Sequence, residues 1–447
     1  MFSVHSPPLQ TLKGLCFKAI NIPCTPFMWR NPQTYKPTLV WLAISFGFAF
    51  ICVLPFYMQW LLEQYTSRDI SPLLASFLGI LSVASVLFTP ANRRFSVGFF
   101  IGVLWFYWIS LGVRYFDMSF LVPLIVVAVG IFMGFVFYIV LWCECLLLRF
   151  IFLLLLSFFT PLGFDWIVLE SVFAYSYFGV DKLSFALIIL GLWLLVKYTL
   201  WWRLIGVVCL TFALDSHIFN TPHTATIPLK MKLIQSDVSQ DFTYRMEQVD
   251  SIFMQHIEDI AQAKNAGYDM VVLPESAFYV PFDVMPSYYE NLLALSEEIV
   301  ILTGALRVER DNDNTLLYFN STFKFDKGEV SFYDKVLLVP FGEYIPSFLL
   351  PLANIFFQGI GGFSAGEEFG YFDIKGVRLK NAICYEGTNR GFYKDNPRYV
   401  IVTSNNAWFV PSIEPILQKN LMKYYARLHN SVIFHATNRS SHAIITP

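Results

Sequence analysis

The chain predicts two structural classes in tandem, a multi-span α-helical membrane domain followed by an α/β extramembrane domain. Hydrophobic residues fill 56% and charged residues only 14% of its 447 positions, too apolar for an ordinary soluble protein and long enough for two units. The apolar excess is confined: from Thr38 to Phe219 charges are rare, and from Lys230 onward they return at globular density. Beyond that point short strand-like runs alternate with helix-like segments, the pattern of an α/β unit.

The domains expected are an N-terminal arm over 1–37, a membrane domain over 38–219 and an extramembrane domain over 220–447, with the break near Asn220-Thr221-Pro222. The arm carries Lys13, Lys18, Arg30 and Lys36 among prolines and no long apolar run. It therefore reads as a cytoplasmic arm with a short interfacial helix around Leu9 to Ile20, not as a cleavable signal. A bilayer span needs about 20 apolar residues. The stretches Thr38 to Leu62, Ser71 to Pro90, Phe95 to Val113, Ser119 to Leu141, Cys145 to Phe173, Lys182 to Thr199 and Trp202 to Phe219 come close to or exceed that length.

Threaded with the N-terminus inside, these spans put Arg93, Arg94, Arg149, Lys197 and Arg203 with the basic arm on the cytoplasmic side. Arg68, Arg114 and Lys182 fall outside. That bias obeys the positive-inside rule, and an odd number of spans delivers the polar half to the opposite face, the periplasm in a bacterium. Asp165 and Glu170, late in the fifth stretch, are either head-group residues or functional intramembrane carboxylates. Cys52, Cys143, Cys145 and Cys209 read as packing residues. No CxxC pair or His/Cys cluster suggests a metal, and a net charge of −2 with a pI near 6.4 leaves no basic footprint for nucleic acid.

In the polar half, Lys230 to Ile234, Met270 to Leu273, Val300 to Thr303, Leu316 to Phe325, Val330 to Tyr333, Val377 to Ile383, Tyr399 to Thr403 and Ser431 to His435 carry strand signals. Met246 to Ala263 places Val249, Ile252, Phe253, His256, Ile257 and Ile260 on one helical face, and Ile413 to His429 is compatible with a second helix. Glu275, Lys335 and Cys384 each follow such a strand, which puts all three at one edge of a sheet.

Cys384 is the only cysteine after residue 220. It is either a small buried hydrophobe or a nucleophile, and Glu275 and Lys335 alone would read as surface charges. Together they make chemical sense: a glutamate can take the thiol proton, the sulfur can attack an ester carbonyl, and a fixed ammonium can stabilise the oxyanion. Glu343 is placed to orient Lys335 and keep it charged.

Three blocks make a resemblance specific: Val272-Leu273-Pro274-Glu275-Ser276, Tyr333-Asp334-Lys335 through Val339-Pro340-Phe341-Gly342-Glu343-Tyr344, and Ala382-Ile383-Cys384-Tyr385-Glu386. They resemble the signature blocks of the nitrilase (carbon–nitrogen hydrolase) superfamily. With the multi-span first half, they resemble its membrane branch, the apolipoprotein N-acyltransferases of the bacterial inner membrane. The resemblance implies an αββα nitrilase-like sandwich in which Glu275 is the general base, Lys335 the stabilising lysine and Cys384 the nucleophile, with Glu343, Tyr385 and Glu386 in support. It further implies acyl transfer from a phospholipid donor to the α-amino group of a diacylated apolipoprotein acceptor through a thioester. No cofactor is implied, and the chain is expected to work as a monomer among membrane lipids.

The pattern departs from the family in places. Tyr244 or Phe242 stands where a tryptophan is usual, Asn406 where an aspartate is usual, and no stretch after residue 220 supplies the family's last membrane span. Lipid chemistry also predicts apolar flaps beside the thiol, at Phe278-Tyr279-Val280-Pro281-Phe282 and at Phe348 to Phe363, the latter hinged on Gly359, Gly361 and Gly362. A membrane-tethered carbon–nitrogen hydrolase using the same triad, and a transporter or scaffold whose polar half binds a partner, are the competing readings.

Overall fold

The computed structural model describes residues 39–116, 118–142, 144–196, 199–215, 227–340, 342–344 and 362–447. The N-terminal arm, Cys143, Lys197, the Asn220-Thr221-Pro222 boundary and the flap segment 348–361 lie outside the described residues.

The first half is a stack of apolar helices: α1 Leu39–Thr66, α2 Pro72–Leu87, α3 Arg94–Phe106, α4 Val122–Val140, α5 Leu146–Leu156, α6 Lys182–Leu195 and α7 Leu200–Phe212. Among the described residues three helical stretches are long and apolar enough to cross a membrane: Leu39–Thr66, Ala91–Tyr115 (α3 with its flanking 3-10 turns) and Ser119–Val140. The others are shorter, and α5 covers only part of the expected stretch from Cys145 to Phe173. Outward faces stay apolar, with Leu124, Phe135, Trp201, Val207 and Phe212 exposed, a surface that suits hydrocarbon and not water. Glycines set the packing distance: a Cβ at Gly98 would lie 2.6 Å from Phe137 Cβ and 2.7 Å from Met133 O, so α3 and α4 touch backbone to backbone there.

The second half is an α/β unit of four layers. Strands β1 Met231–Leu233, β3 Met270–Val272, β4 Val300–Arg310, β5 Leu316–Asp326 and β6 Glu329–Asp334 form one sheet in that order. Strands β11 Ala443–Ile445, β10 Val432–Asn438, β9 Tyr399–Asn405, β8 Val377–Ile383 and β7 Tyr371–Ile374 form the other, and β2 Gln235–Ser236 joins it alongside β10. The chain thus steps from the first sheet to the second between Leu233 and Gln235. Side-chain alternation assigns the faces. Met270, Val272 and Leu302 meet Phe372, Leu379, Ile401 and Phe434 between the sheets. Val271, Leu273 and Ile301 point the other way, against α8 Val249–Asn265 and α9 Pro286–Ser296. Val400, Val402 and Ile433 face α10 Glu414–His429.

The predicted face of α8 is the buried one, through Ile252, Phe253, His256 and Ile260. Helix α9 and strand β7 went unforeseen, because Pro286–Ser296 and Tyr371–Ile374 are short segments of mixed polarity. Helix α10 is also the seam between halves: one core runs from Val400, Leu417 and Tyr425 into Phe173, Phe178 and Phe185 of the helical half. Arg427 pins it, donating to the carbonyls of Phe173, Ala174, Ser176 and Phe178 and to Asp215 at 2.7–3.1 Å. Lys419 reaches Glu63 at 3.2 Å and Asp69 at 2.9 Å, and Arg114 donates to Val410 O at 3.0 Å.

Removing Arg427 strands several carbonyls in a region that water enters poorly, at about 1–3 kcal/mol for each group left unpaired. Arg427→Met is expected to lower the melting temperature in detergent by several degrees and to expose residues 173–178 to protease. The exposed control Lys394→Met should match wild type. Equal melting curves for all three proteins would show that the contact is dispensable.

Candidate active site

Glu275, Lys335 and Cys384 converge, but not along one sheet edge as the sequence suggested. Glu275 and Lys335 follow β3 and β6 of the first sheet, whereas Cys384 follows β8 of the second. The site lies across the gap between the sheets, where the ends of both meet. The reason is that β8 lies between β7 and β9 in the second sheet instead of extending the first, a choice no local pattern encodes.

Cys384 and Glu275 sit at sharp turns. Cys384 has φ +54° as β8 breaks into a 3-10 turn over Cys384–Thr388, a left-handed conformation that costs a non-glycine residue energy and is held by its surroundings. Ser276, just after Glu275, has φ +52°. Gly304 on β4 lets that turn pack closely, since a Cβ there would stand 2.6 Å from Glu275 Cα and 2.5 Å from Ser276 N.

Lys335 is 1% exposed and bridges two carboxylates, Glu343 at 2.6 Å and Glu275 at 3.5 Å. Asn320 on β5 donates to the same pair, at 2.7 Å to Glu275 Oε1 and 3.2 Å to Glu343 Oε1. The second oxygen of Glu275 accepts from the Asn405 backbone N–H at 2.7 Å, and that of Glu343 from the Val339 N–H at 2.9 Å. Cys384 is half-buried, and Gln418 Nε2 of α10 points at its sulfur from 3.5 Å.

Burial works against the ammonium, yet Glu343 and then Glu275 hold Lys335 above its usual range. The thiol of Cys384 is driven well up, first by burial and then by the negative charge of Glu275, with Lys335 only partly opposing. The resting sulfur is therefore a protonated thiol, and its proton must leave as attack proceeds. Chemically the arrangement offers a nucleophile, an adjacent base and a fixed positive charge. Among the described residues no cluster of His, Cys, Asp and Glu could hold a metal ion.

Residues 40–216 match the model of the apolipoprotein N-acyltransferase integral membrane domain. The chain is 70% identical to the apolipoprotein N-acyltransferase of Helicobacter hepaticus over 396 residues, 88% of this chain and 99% of that one. The chain belongs to the apolipoprotein N-acyltransferase family. Further members are those of Wolinella succinogenes, 38% identical over 84% of this chain and 90% of that one, and Campylobacter jejuni, 36% identical over 86% and 85%. Among solved structures, a CN-hydrolase superfamily protein from Xanthomonas campestris is 15% identical with a TM-score of 0.34, covering 49% of this chain and 82% of that one. A Nesterenkonia amidase is 15% identical with a TM-score of 0.34, covering 50% and 83%.

In this apolipoprotein N-acyltransferase family member the expected supporting residues take different places. Glu343 lies inside the ion network. Glu386 is 2% exposed and clamps two loops, accepting from Val336, Leu337 and Ile383 N–H groups at 2.7–3.1 Å. Burial lifts it to about 7 against the pull of those donors. Tyr385 points to the helical half, donating to Asp165 Oδ1 at 2.9 Å or Gly163 O at 2.8 Å. Asp165 also accepts from Arg390 N at 3.0 Å, and Glu170 pairs with Lys182. Both carboxylates lie outside the α-helices, in the segment that docks the α/β half.

The flap expected at Phe278 to Phe282 is ordinary packing at its ends, because Phe278 and Phe282 are buried against α8 and β5. Tyr244, expected in the tryptophan's place, is exposed. Sequence reasoning missed Asn320, Asn405, Gln418 and Glu414. Their clue was the departure at Asn406: its amide donates to Gln418 Oε1 at 3.2 Å, a bond an ionised aspartate could not make, and so orients the group that faces the sulfur.

Glu414, 2% exposed with Oε2 unpartnered, is lifted to about 8 by burial and by the charge of Glu275. Glu386 and Glu414 both have folded pKa values raised above the ordinary carboxylate value of 4.5. Their contribution to stability is complete below pH 4.5 and is lost as pH rises through about 7 and about 8. The melting temperature in detergent is expected to fall between pH 5 and about 8.5, and Glu414→Gln should flatten the upper part of that fall. An unchanged pH profile in the variant would remove Glu414 from the titration.

Proposed function

We propose that this acyltransferase moves a fatty acyl chain from a phospholipid to the α-amino group of the S-diacylglyceryl-cysteine of apolipoproteins, through a thioester on Cys384. The observation that carries the reading is the buried Glu275–Lys335–Glu343 network beside the half-buried Cys384, on the face where the α/β half meets the apolar helices. That location matters energetically. Passing a sixteen-carbon chain through water would cost on the order of 12 kcal/mol at about 0.8 per methylene, so sulfur and donor must meet at the bilayer surface.

Glu275 is the general base in this reading, and Lys335 stabilises the intermediate. As the Cys384 sulfur attacks the ester carbonyl, the thiol proton passes to Glu275, and the new oxyanion faces Lys335. Collapse expels the lysophospholipid alkoxide, which recovers that proton and leaves the thioester. In the second half, the neutral acceptor amine attacks the thioester. Glu275 takes a proton from nitrogen and returns it to sulfur as the amide forms. Glu343 keeps Lys335 in place and charged, Glu386 fixes the turn that presents Cys384, and Tyr385 joins that turn to the helical half.

The proposed orientation puts the catalytic half in the periplasm and the helices in the inner membrane, with 1–37 as a cytoplasmic arm, 38–219 as the membrane domain and 220–447 as the catalytic domain. It is supported by the placement of charges. Arg114, Lys182 and the connections that dock α10 lie at the helix ends facing the α/β half. Arg93 and Arg149 bond at the other end, to Trp41 O and to Leu87 O and Thr89 O.

Intact-mass measurement after incubation with phosphatidylethanolamine tests the reading. Wild type should gain a hydroxylamine-labile acyl mass that transfers to a diacylated lipopeptide, Cys384→Ala should gain none, and Glu275→Gln should acylate about 10²–10⁴-fold more slowly. Transfer by Cys384→Ala would refute the mechanism, and release solely as free fatty acid would make the protein a hydrolase.

A further inference from the structure

Arg245 is a buried cation beside the base that none of the steps above uses. It lies in the helical segment Phe242–Glu247 and is 5% exposed. Its Nε donates to Ser239 O at 2.8 Å. Among the described residues its Nη1 and Nη2 make no hydrogen bond or ion pair. The guanidinium carbon stands 5.1 Å from the centre of the Tyr279 ring, and its charge acts on Tyr279, Glu275 and Tyr115. A second group at the same place is also unsatisfied: the Tyr279 hydroxyl is buried without a hydrogen-bond partner.

A buried phenol left unpaired is costly, and beside a guanidinium whose terminal nitrogens make no hydrogen bond among the described residues the chemistry selects an anion. A guanidinium offers a planar fork of donors and the phenol adds another, a set that suits the paired oxygens of a phosphate. The charge balance of the site argues the same way. Glu275 and Glu343 both act on Cys384, with the single ammonium of Lys335 already committed to the two of them. An acceptor ammonium is drawn to such a site, but a phospholipid brings a fixed negative charge separated from its ester carbonyls only by the glycerol carbons. That charge needs a local cation near the base, and among the described residues the terminal nitrogens of Arg245 are uncommitted.

We propose that Arg245, with the Tyr279 hydroxyl, binds the phosphodiester of the acyl donor and so positions its ester at Cys384. The proposal rests on the acyl-transfer reading above and adds to it the residues that recognise the donor's charge.

Acylation of Cys384 in the full-length protein, followed by intact mass, separates the two ideas. The donors are phosphatidylethanolamine in mixed micelles and p-nitrophenyl palmitate, an ester with no phosphate. Arg245→Gln is expected to raise the half-saturating phosphatidylethanolamine concentration about tenfold or more, Arg245→Lys to recover part of the loss, and Tyr279→Phe to cost about threefold. The ratio of phospholipid to p-nitrophenyl ester acylation should fall in step. Equal losses with both donors would make Arg245 a structural residue and overturn the proposal, as would unchanged phospholipid saturation. A loss confined to aminolysis of the preformed thioester would assign the site to the acceptor, and competition by inorganic phosphate at millimolar concentration would assign it to a free anion. Failure of wild type to be acylated by either donor would instead sink the acyl-transfer reading itself.

Discussion

Lys335, an ammonium at 1% exposure held between Glu343 and Glu275, constrains everything around it. Taking such a charge out of water costs several kcal/mol per ion, so each partner must itself be fixed and hydrogen-bonded. Asn320 supplies one amide to both carboxylates, Val339 N–H holds Glu343, and Asn405 N–H holds Glu275. Because Asn405 ends β9, that last bond reaches from the first sheet to the second. The network therefore staples the two sheets at the place where the thiol emerges, and the fold and the chemistry depend on the same few bonds.

The same constraint explains why the sulfur rests as a thiol. Two carboxylates and one ammonium already leave the pocket negative, and a thiolate would add to that charge in a desolvated place. In the proposed mechanism the developing charge goes to the ester oxygen near Lys335 and not onto a resting thiolate. The strained turn at Cys384 helps, since φ +54° lifts the side chain off the end of β8 toward Gln418. Neither feature depends on the sulfur being acidic.

Docking of the two halves is the second organising contact. The turn after Cys384 is welded to the helical half by Tyr385 with Asp165 and by Trp166 Nε1 donating to Thr388 Oγ1 at 2.8 Å. Behind it, Trp108 packs on Trp166 and on Phe409, 4.9 and 5.0 Å between ring centres. The loop that carries Cys384, the proposed nucleophile, thus takes its position from apolar helices, which suits a proposed donor that arrives from a lipid layer.

The sequence by itself determined the division into an apolar and a polar half, the strand and helix types of most segments, and the identity of Glu275, Lys335, Glu343 and Cys384 as a set. These are legible because bilayer length, period-two alternation and strand-end motifs are local, each written within a few neighbouring residues. Tertiary structure alone decided that the triad straddles two sheets, that Asn320, Asn405, Gln418 and Glu414 surround it, and that Phe278 and Phe282 face the core. Asp165 shows the difference most plainly: within its own stretch it reads as either a head-group residue or an intramembrane carboxylate, and only a partner 220 residues away, Tyr385, makes it a docking group. Such pairings are set by how sheets and helices stack, and stacking depends on the summed burial of many distant side chains, which no short stretch of chain can record.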